Sequence, residues 1–336
     1  MPALTTAINS SFGLNAYTKA SKVPRNVRDA LSRHPIDSNC ILPALLKALD
    51  VERLSRSPPS GQLWIVCQSA FGIELVVSCT NNPLGEYPIF ITSLYQLPNA
   101  ALRSRIQEIA KLLLRITGSR RVYSVFAPDS IADMFSEAWS GLTRIQAYPK
   151  PYYAAKLSYC TRDTLNDYDN APNYYLRPAQ DSDLNDVARL CHGFADDSAP
   201  FFLSEEGAYL EAEHLIQTKQ VWVHAASNGR QTAIASIVAF TRNSETNATI
   251  TKVFTNPDFR GQGCAKRLVR RVCEHLLFKT GKSSVALFVA HDNAPASRVY
   301  HNVGFVGLDG TERDSRQAPS WKEIGFDRKK VELGHW

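Results

Sequence analysis

Residues 253–308 read VFTNPDFRGQGCAKRLVRRVCEHLLFKTGKSSVALFVAHDNAPASRVYHNVGFVGL, and this stretch decides the fold. It predicts a strand, a glycine-containing turn that opens a basic helix, a second apolar strand and a second helix. The turn is Arg260-Gly261-Gln262-Gly263-Cys264-Ala265. Because it follows a strand and starts a helix, consecutive backbone N–H groups are expected to point at one spot where the helix dipole is positive. A turn of this kind binds a phosphate or a pyrophosphate.

Three known phosphate-binding turns can be compared with this one. A P-loop needs Gly-x4-Gly-Lys-Ser/Thr, which is absent here. A dinucleotide-binding turn needs a third small residue, but Gly261-Gln262-Gly263 is followed by Cys264-Ala265-Lys266. The spacing instead resembles the Gln/Arg-x-x-Gly-x-Gly/Ala signature of the GNAT acyl-CoA-dependent acyltransferases, with Arg260 first, Gly263 in the middle and Ala265 last.

A second motif strengthens the resemblance about thirty residues later. Asn293-x-x-Ala296-x-x-x-Tyr300-x-x-x-Gly304-Phe305 matches another GNAT motif in order and spacing. Upstream, residues 255–260 are similar to the family's passage from its fourth strand into the cofactor loop. The similarity runs from about Tyr174 to Phe326. It implies an α+β fold with a mixed, mostly antiparallel sheet flanked by helices, and acetyl-CoA or another acyl-CoA as co-substrate.

The resemblance also implies which residues contact the cofactor. These are Phe254, Thr255, Arg260, Gly261, Gln262, Gly263, Cys264, Ala265, Lys266, Asn293 and Ser297. The strand ending at Phe254 and Thr255 is expected to pair with the pantetheine arm, and an N–H near Phe254 to stabilise an oxyanion. Three of these residues also have a structural interpretation: Phe254 as a core residue, Arg260 as a surface side chain and Asn293 as a helix N-cap.

Tyr300 is the predicted general acid. The leaving thiolate must acquire a proton, and a phenol beside it can supply one; the alternative is a tyrosine that only packs. A general base is not assigned. The candidates are Asp196, Asp197, Glu205, Glu206, His291 and Asp292, each of which can equally be an ordinary surface group.

Length, composition and charge restrict the class of protein to which the chain can belong. With 336 residues and 37.4 kDa the chain predicts two domains, and 44% apolar with 21% charged residues is typical of a soluble globular protein. The net charge of +6 is dispersed except for Lys266, Arg267, Arg270 and Arg271, which form either a solvated helix face or a patch near coenzyme A phosphates. No nucleic-acid motif accompanies them, so no nucleic-acid partner is expected.

Cysteine usage and hydropathy indicate the compartment. Seven scattered cysteines without a Cys-x-x-Cys pair are typical of reduced thiols in an intracellular protein. No run of residues reaches the length of a membrane span and no secretory core is present, so we expect a cytoplasmic protein without a membrane partner. No metal-ligand set emerges from the eight histidines, and the Gly-x-Ser-x-Gly motif of a serine hydrolase is absent.

The order of predicted elements is similar in the two halves: hairpin, strand, long helix, strand, helix. We therefore expect a flexible arm at 1–37, a GNAT-like domain at 38–161 and a catalytic GNAT domain at 174–330, joined by a linker at 162–173. In the first domain Gln96-Leu97-Pro98-Asn99-Ala100 stands where the cofactor loop belongs. Without paired glycines, that domain is predicted to be degenerate and free of cofactor.

The function that the two motifs favour is transfer of an acetyl group to an amine of a small molecule. Two alternatives stay open at this level: a domain that binds acyl-CoA without transferring the acyl group, and an O-acyltransferase or a longer acyl chain on the same fold. The residues predict neither the acceptor nor the oligomeric state.

Overall fold

The computed structural model describes residues 11–54, 60–82, 85–167, 175–198, 200–227, 232–308 and 318–334. They divide into two compact units. The first unit contains the described residues up to Pro149 together with Ile324–Gly334, and the second contains those of Lys150–Glu323. Among the described helices, none combines the length and apolar character that crossing a bilayer requires.

The first unit is built on a sheet with the strand order β1-β2-β3-β6-β7. Its elements are β1 Phe12–Tyr17, α1 Arg25–Arg33, α2 Leu42–Leu54, β2 Leu63–Ser69, β3 Gly72–Cys79, β4 Asn81–Asn82, β5 Gly85–Glu86, β6 Ile89–Ser93, α3 Asn99–Thr117, β7 Ser124–Pro128 and α4 Asp129–Thr143. Neighbouring strands are antiparallel except β6 and β7, which are parallel. The central strands β2 and β3 are nearly continuous buried apolar runs, as expected when both faces of a sheet are covered.

The second unit contains two groups of paired strands. Its elements are β8 Tyr153–Cys160, β9 Tyr175–Pro178, α5 Leu184–Asp196, α6 Glu205–Gln217, β10 Val221–Ser227, β11 Thr232–Ala239, β12 Arg242–Asn243, β13 Asn247–Ile250, β14 Lys252–Thr255, α7 Cys264–Glu274, β15 Ser284–Ala290, α8 Ala294–Val303 and β16 Ser320–Gly325. The orders are β16-β8-β15-β13-β12 and β14-β11-β10-β9. One apolar core lies around α7 and α8, and another around α5 and α6.

The two units repeat one order of elements. In each, a strand is followed by two helices, a hairpin, a further strand, a helix, a strand and a helix. This order, with mostly antiparallel strands flanked by helices, confirms the predicted fold class and its two lobes. The helix that corresponds to α7 in the first unit is α3. It begins at Asn99 directly after Pro98, and no glycine occurs in the preceding residues 94–98.

The domain boundaries differ from the sequence prediction in two places. The predicted arm is wrong for Phe12–Arg33, because β1 pairs with β2 along its whole length and α1 buries Val27, Ala30 and Leu31. The units also exchange their C-terminal segments. The strand β8, which follows α4 in the chain, pairs with β15 in the second unit, whereas Ile324–Gly334 belongs to the first. Part of the predicted linker, residues 168–173, lies outside the described residues.

Candidate active site

The two groups of strands in the second unit separate at Thr251. Before it, β13 pairs in parallel with Ser284–Leu287 of β15. After it, among the described strands, β14 pairs with β11 alone, and residues Phe288–Ala290 of β15 pair only with β8. A cleft therefore opens between β14 and the C-terminal half of β15.

A β-bulge marks the point of separation. The N–H of Thr251 donates to the carbonyl oxygen of Ala239 at 2.9 Å, and the register places Lys252 opposite the same Ala239. Two residues that face one residue of the partner strand bend their own strand and increase its twist. This bulge coincides with the point at which the chain stops pairing with β15.

The ladder with β11 determines which main-chain groups of β14 face the cleft. The N–H of Asn256 donates to Ala235 at 2.9 Å, which makes these two residues a hydrogen-bonded pair. Hydrogen-bonded and non-hydrogen-bonded pairs alternate in an antiparallel ladder, so Phe254 bonds with Ile237. The N–H and C=O groups of Val253 and Thr255 point instead to the open edge.

Phe254 therefore does not present its main chain to the cleft, contrary to the sequence expectation. Its carbonyl also accepts from the Ser236 hydroxyl at 3.0 Å. Its ring lies against α5: a Cβ added to Gly193 would stand 2.8 Å from Cε1 of Phe254. Sequence reasoning missed Val253, because the choice between neighbouring residues depends on strand register.

The turn before α7 has the conformation that the glycine pattern predicts. Gly261 has φ 76° and Gly263 has φ 73°, both in the left-handed region that favours glycine. Within the described chain, no acceptor bonds to the N–H groups of Gly261, Gln262, Gly263 or Ala265. These donors lie at the N-terminus of α7, where the helix dipole is positive, so the turn can hold an anion.

Arg260 lies back over β14. Its guanidinium Nε donates to the Thr255 carbonyl at 3.3 Å, and its Nη2 lies 3.7 Å from Oδ2 of Asp197. Its Cζ also stands 5.4 Å from the centre of the Phe254 ring. The side chain therefore ties the turn to β14 and to the end of α5.

The basic residues of α7 separate into two groups. Arg270 and Arg271 both pair with Glu274, at 3.4 Å and 2.9 Å, on the later turns of the helix. Lys266 and Arg267 lie in the first turn, and Nη2 of Arg267 is 3.6 Å from the Cys264 sulfur. Only the first-turn pair is close in sequence to the anion-binding turn.

The second motif forms the start and the body of α8. Asn293 is the N-cap, and its Oδ1 accepts from the Ala296 N–H at 3.0 Å. The Ser297 N–H donates to the Asn293 carbonyl at 3.0 Å. Tyr300 is 8% exposed and packs against Phe305, with ring centres 5.7 Å apart. Burial raises the pKa of the Tyr300 phenol above its ordinary value, so the hydroxyl is protonated at neutral pH.

Three of the six candidate general bases have side-chain partners in the protein. Asp197 pairs with Arg260, and Oδ2 of Asp196 lies 3.2 Å from Nδ1 of His192. The Nε2 of His291 is 2.8 Å from the Ser320 hydroxyl. Glu205 and Glu206 lie in the first turn of α6, and Asp292 is exposed just before α8.

Two buried titratable groups lie beneath the turn. Burial raises the pKa of the Cys264 thiol, although the neighbouring Arg267 acts in the opposite direction. Burial and the charge of Arg267 lower the pKa of His224 to about 4. Cys264 is therefore a thiol and His224 is neutral at pH 7. Among the described residues, no group of three or more His, Cys, Asp or Glu side chains is arranged to hold a metal ion.

Comparison with known proteins gives one family. Residues 184–305 match the model of the acetyltransferase (GNAT) family, which spans α5 to the end of the second motif. No curated protein matches the chain in sequence.

Several solved structures are similar to the chain. A Drosophila protein aligns over 94% of this chain and 98% of its own length, with 12% identity and a TM-score of 0.59. A GCN5-related N-acetyltransferase from Sphaerobacter thermophilus aligns over 93% and 94%, with 11% identity and a TM-score of 0.53. A tandem GNAT protein from the clavulanic acid biosynthesis pathway aligns over 94% and 98%, with 13% identity and a TM-score of 0.47. At identities this low, the first two show a shared fold.

Proposed function

We propose that the protein transfers an acetyl group from acetyl-CoA directly to an amine of a small molecule, because residues 184–305 match the model of the acetyltransferase (GNAT) family. The observation that carries the proposal is the open edge of β14 beside the N-terminus of α7. The N–H groups of Val253 and Thr255 point to this edge, and those of the glycine turn follow in the chain at the N-terminus of α7.

The donors along this cleft suit the parts of coenzyme A. The N–H groups of Gly261, Gln262 and Gly263 would hold the diphosphate, and Lys266 would add positive charge. The edge of β14 at Val253 and Thr255 would pair with the two amides of pantetheine, which need hydrogen-bond partners once they leave water. Acetyl-CoA supplies an acyl carbon that is activated as a thioester.

Two groups of the protein would act on the reaction. The Val253 N–H would stabilise negative charge on the acyl oxygen, a contribution that is typically worth about 3–4 kcal/mol. The Tyr300 hydroxyl would donate its proton to the departing sulfur, and its raised pKa keeps that proton in place until the thiolate forms. The match of Tyr300 to the second GNAT motif supports this role. Water or a carboxylate of the cleft would accept the proton that the amine loses.

Direct transfer, rather than an acyl-enzyme, is favoured by the state of Cys264. A cysteine at a helix N-terminus is a candidate nucleophile only as a thiolate. Burial raises the pKa of this thiol, and its side chain is 3% exposed. The acyl group would therefore pass from coenzyme A to the amine in one ternary complex.

The proposal is tested with acetyl-CoA and a panel of small amines. Calorimetry is expected to show acetyl-CoA binding, and thiol release is expected to depend on the amine. In Gly263→Val, a side chain at φ 73° should weaken binding by distorting the turn. Binding without release from any amine would favour a sensor, and release only with alcohols would favour an O-acyltransferase. Either result contradicts the proposal.

A further inference from the structure

A row of polar side chains crosses the sheet beneath the first turn of α7. The strand registers place His224 of β10 opposite Ser236 of β11, and Ser236 opposite Thr255 of β14. Residues that stand opposite each other in a ladder point to the same face. Trp222, two residues before His224, belongs to the apolar core around α7, so this face is the one that α7 covers. His224 is therefore enclosed between the sheet and the helix, and it is only 1% exposed.

Two neighbours connect His224 to the glycine turn, residues 260–265. Its ring hydrogen-bonds to the main chain of Cys264, the first residue of α7. The guanidinium group of Arg267 also lies against the turn: its Nη2 is 3.6 Å from the Cys264 sulfur, and a Cβ added to Gly263 would stand 3.0 Å from its Nη1. The imidazole, the guanidinium and the N-terminus of α7 thus share one small region, and an anion held by the turn would lie next to it.

The surroundings of His224 set its charge. From α7, the charged or titratable groups beside it are Arg267 and the Cys264 thiol. The residues opposite it in the ladders, Leu176 of β9 and Ser236 of β11, do not titrate. Burial and the positive charge of Arg267 lower the pKa of His224 to about 4, so the ring is neutral at pH 7.

We propose that binding of an anion at the glycine turn is coupled to uptake of a proton by His224. The inference rests on the proposed function, which places the diphosphate of coenzyme A at this turn. Negative charge there would offset the field of Arg267 and of the helix N-terminus, and it would favour the protonated form of the imidazole. Linkage is reciprocal, so the turn should hold its ligand more tightly as the pH falls.

The sign and the size of the effect follow from this linkage. His224 would have the higher pKa in the bound state, so the bound protein carries more protons than the free protein between the two pKa values. Affinity therefore rises as the pH falls through that interval and is constant above it. A nearby opposite charge typically shifts a pKa by about one to three units. At the lower end of that range, Kd should decrease by about threefold to tenfold between pH 7 and pH 4.5.

The test measures binding to the full-length protein by titration calorimetry. The probe is dephospho-coenzyme A, which keeps the diphosphate but lacks the phosphate monoester, a group that itself titrates at about pH 6. Two buffers with different ionisation enthalpies, compared at pH 5, give the number of protons taken up per ligand. The wild type should take up about half a proton and should show the decrease in Kd. Circular dichroism establishes that each protein is folded at each pH.

Three variants identify the group that takes up the proton. His224→Gln keeps a polar side chain that does not titrate, so it should lose the uptake that the wild type shows beyond any titration of the ligand itself. His275→Gln is the matched control, because it removes a half-buried histidine directly after α7, and it should keep the wild-type uptake. Arg267→Gln removes the charge that lowers the pKa of His224, so the pH interval of uptake should move upward.

The outcomes distinguish this inference from the proposed function. If the wild type binds neither dephospho-coenzyme A nor acetyl-CoA at any pH, the proposed function fails and the inference falls with it. If the wild type binds them but His224→Gln takes up as many protons, only the inference is overturned. An uptake interval that stays in place in Arg267→Gln also overturns it, and this comparison does not depend on how well His224→Gln folds.

Discussion

The register of β14 makes a specific prediction about one main-chain N–H group. Replacing Val253 by proline removes its N–H, and proline is tolerated on an edge strand where that group does not join the ladder. The N–H of Val253 points away from β11, so Val253→Pro should leave the pairing of β14 with β11 in place. The substitution should therefore lower kcat.

The size of the effect follows from the proposed role. Loss of one donor to a developing oxyanion typically costs about 10²- to 10³-fold in kcat. The matched control is Val253→Ala, which keeps the N–H and removes two methyl groups of a half-buried side chain. That change should cost about 1 kcal/mol of stability, and kcat should stay within a few-fold of wild type.

The assay is thiol release from acetyl-CoA at saturating amine, with circular dichroism and thermal unfolding to establish that each variant is folded. A second control is Phe254→Pro, which removes a donor within the ladder and should lower the unfolding temperature more than Val253→Pro does. A folded Val253→Pro protein with wild-type kcat would refute the assignment of Val253, and with it the alternation inferred for β14.

Three further outcomes are expected. Tyr300→Phe should lower kcat by about 10²- to 10⁴-fold with little change in the calorimetric Kd for acetyl-CoA, and unchanged turnover would remove the phenol from the mechanism. The pKa of His224 is about 4 in the folded protein and about 6.5 in the unfolded chain, so the free energy of unfolding should fall by on the order of 3 kcal/mol as the pH drops from 6.5 to 4. Chemical unfolding of His224→Gln should show a smaller fall over the same pH range, and an equal fall in both proteins would contradict this. Gly193→Ala places a Cβ 2.8 Å from the Phe254 ring and should lower stability by about 1–3 kcal/mol, whereas Gly141→Ala, in a helix with open space around it, should not.

The sequence predicts much of the fold because the pattern of its elements is local. The hairpin of β2 and β3 and the helix α3 follow from short-range apolar patterns, and both occur in the predicted order of elements. The strands β1, β8 and β16 were missed. β1 alternates half-buried and exposed residues, and its place depends on a partner about fifty residues away.

In the candidate site, too, some features depend on local sequence and others on long-range contacts. The glycine turn and the cap at Asn293 depend on local conformation, so their residue types predict them. The outward N–H of Val253 depends on pairing with β11, and the contact between the Tyr152 and Phe201 rings joins residues that are 49 positions apart in the sequence. Neither the strand register nor this long-range contact is encoded in a short motif, so sequence reasoning could not find them.

The exchange of C-terminal segments affects how the protein can be divided for experiments. A fragment cut at the sequence-predicted border, residue 174, carries the glycine turn and Tyr300 but lacks β8. The last residues of β15 then lose the strand with which they pair and expose a row of unsatisfied backbone groups, which favours intermolecular pairing and aggregation. Truncations meant to isolate the half that carries the glycine turn should therefore begin ahead of Tyr152.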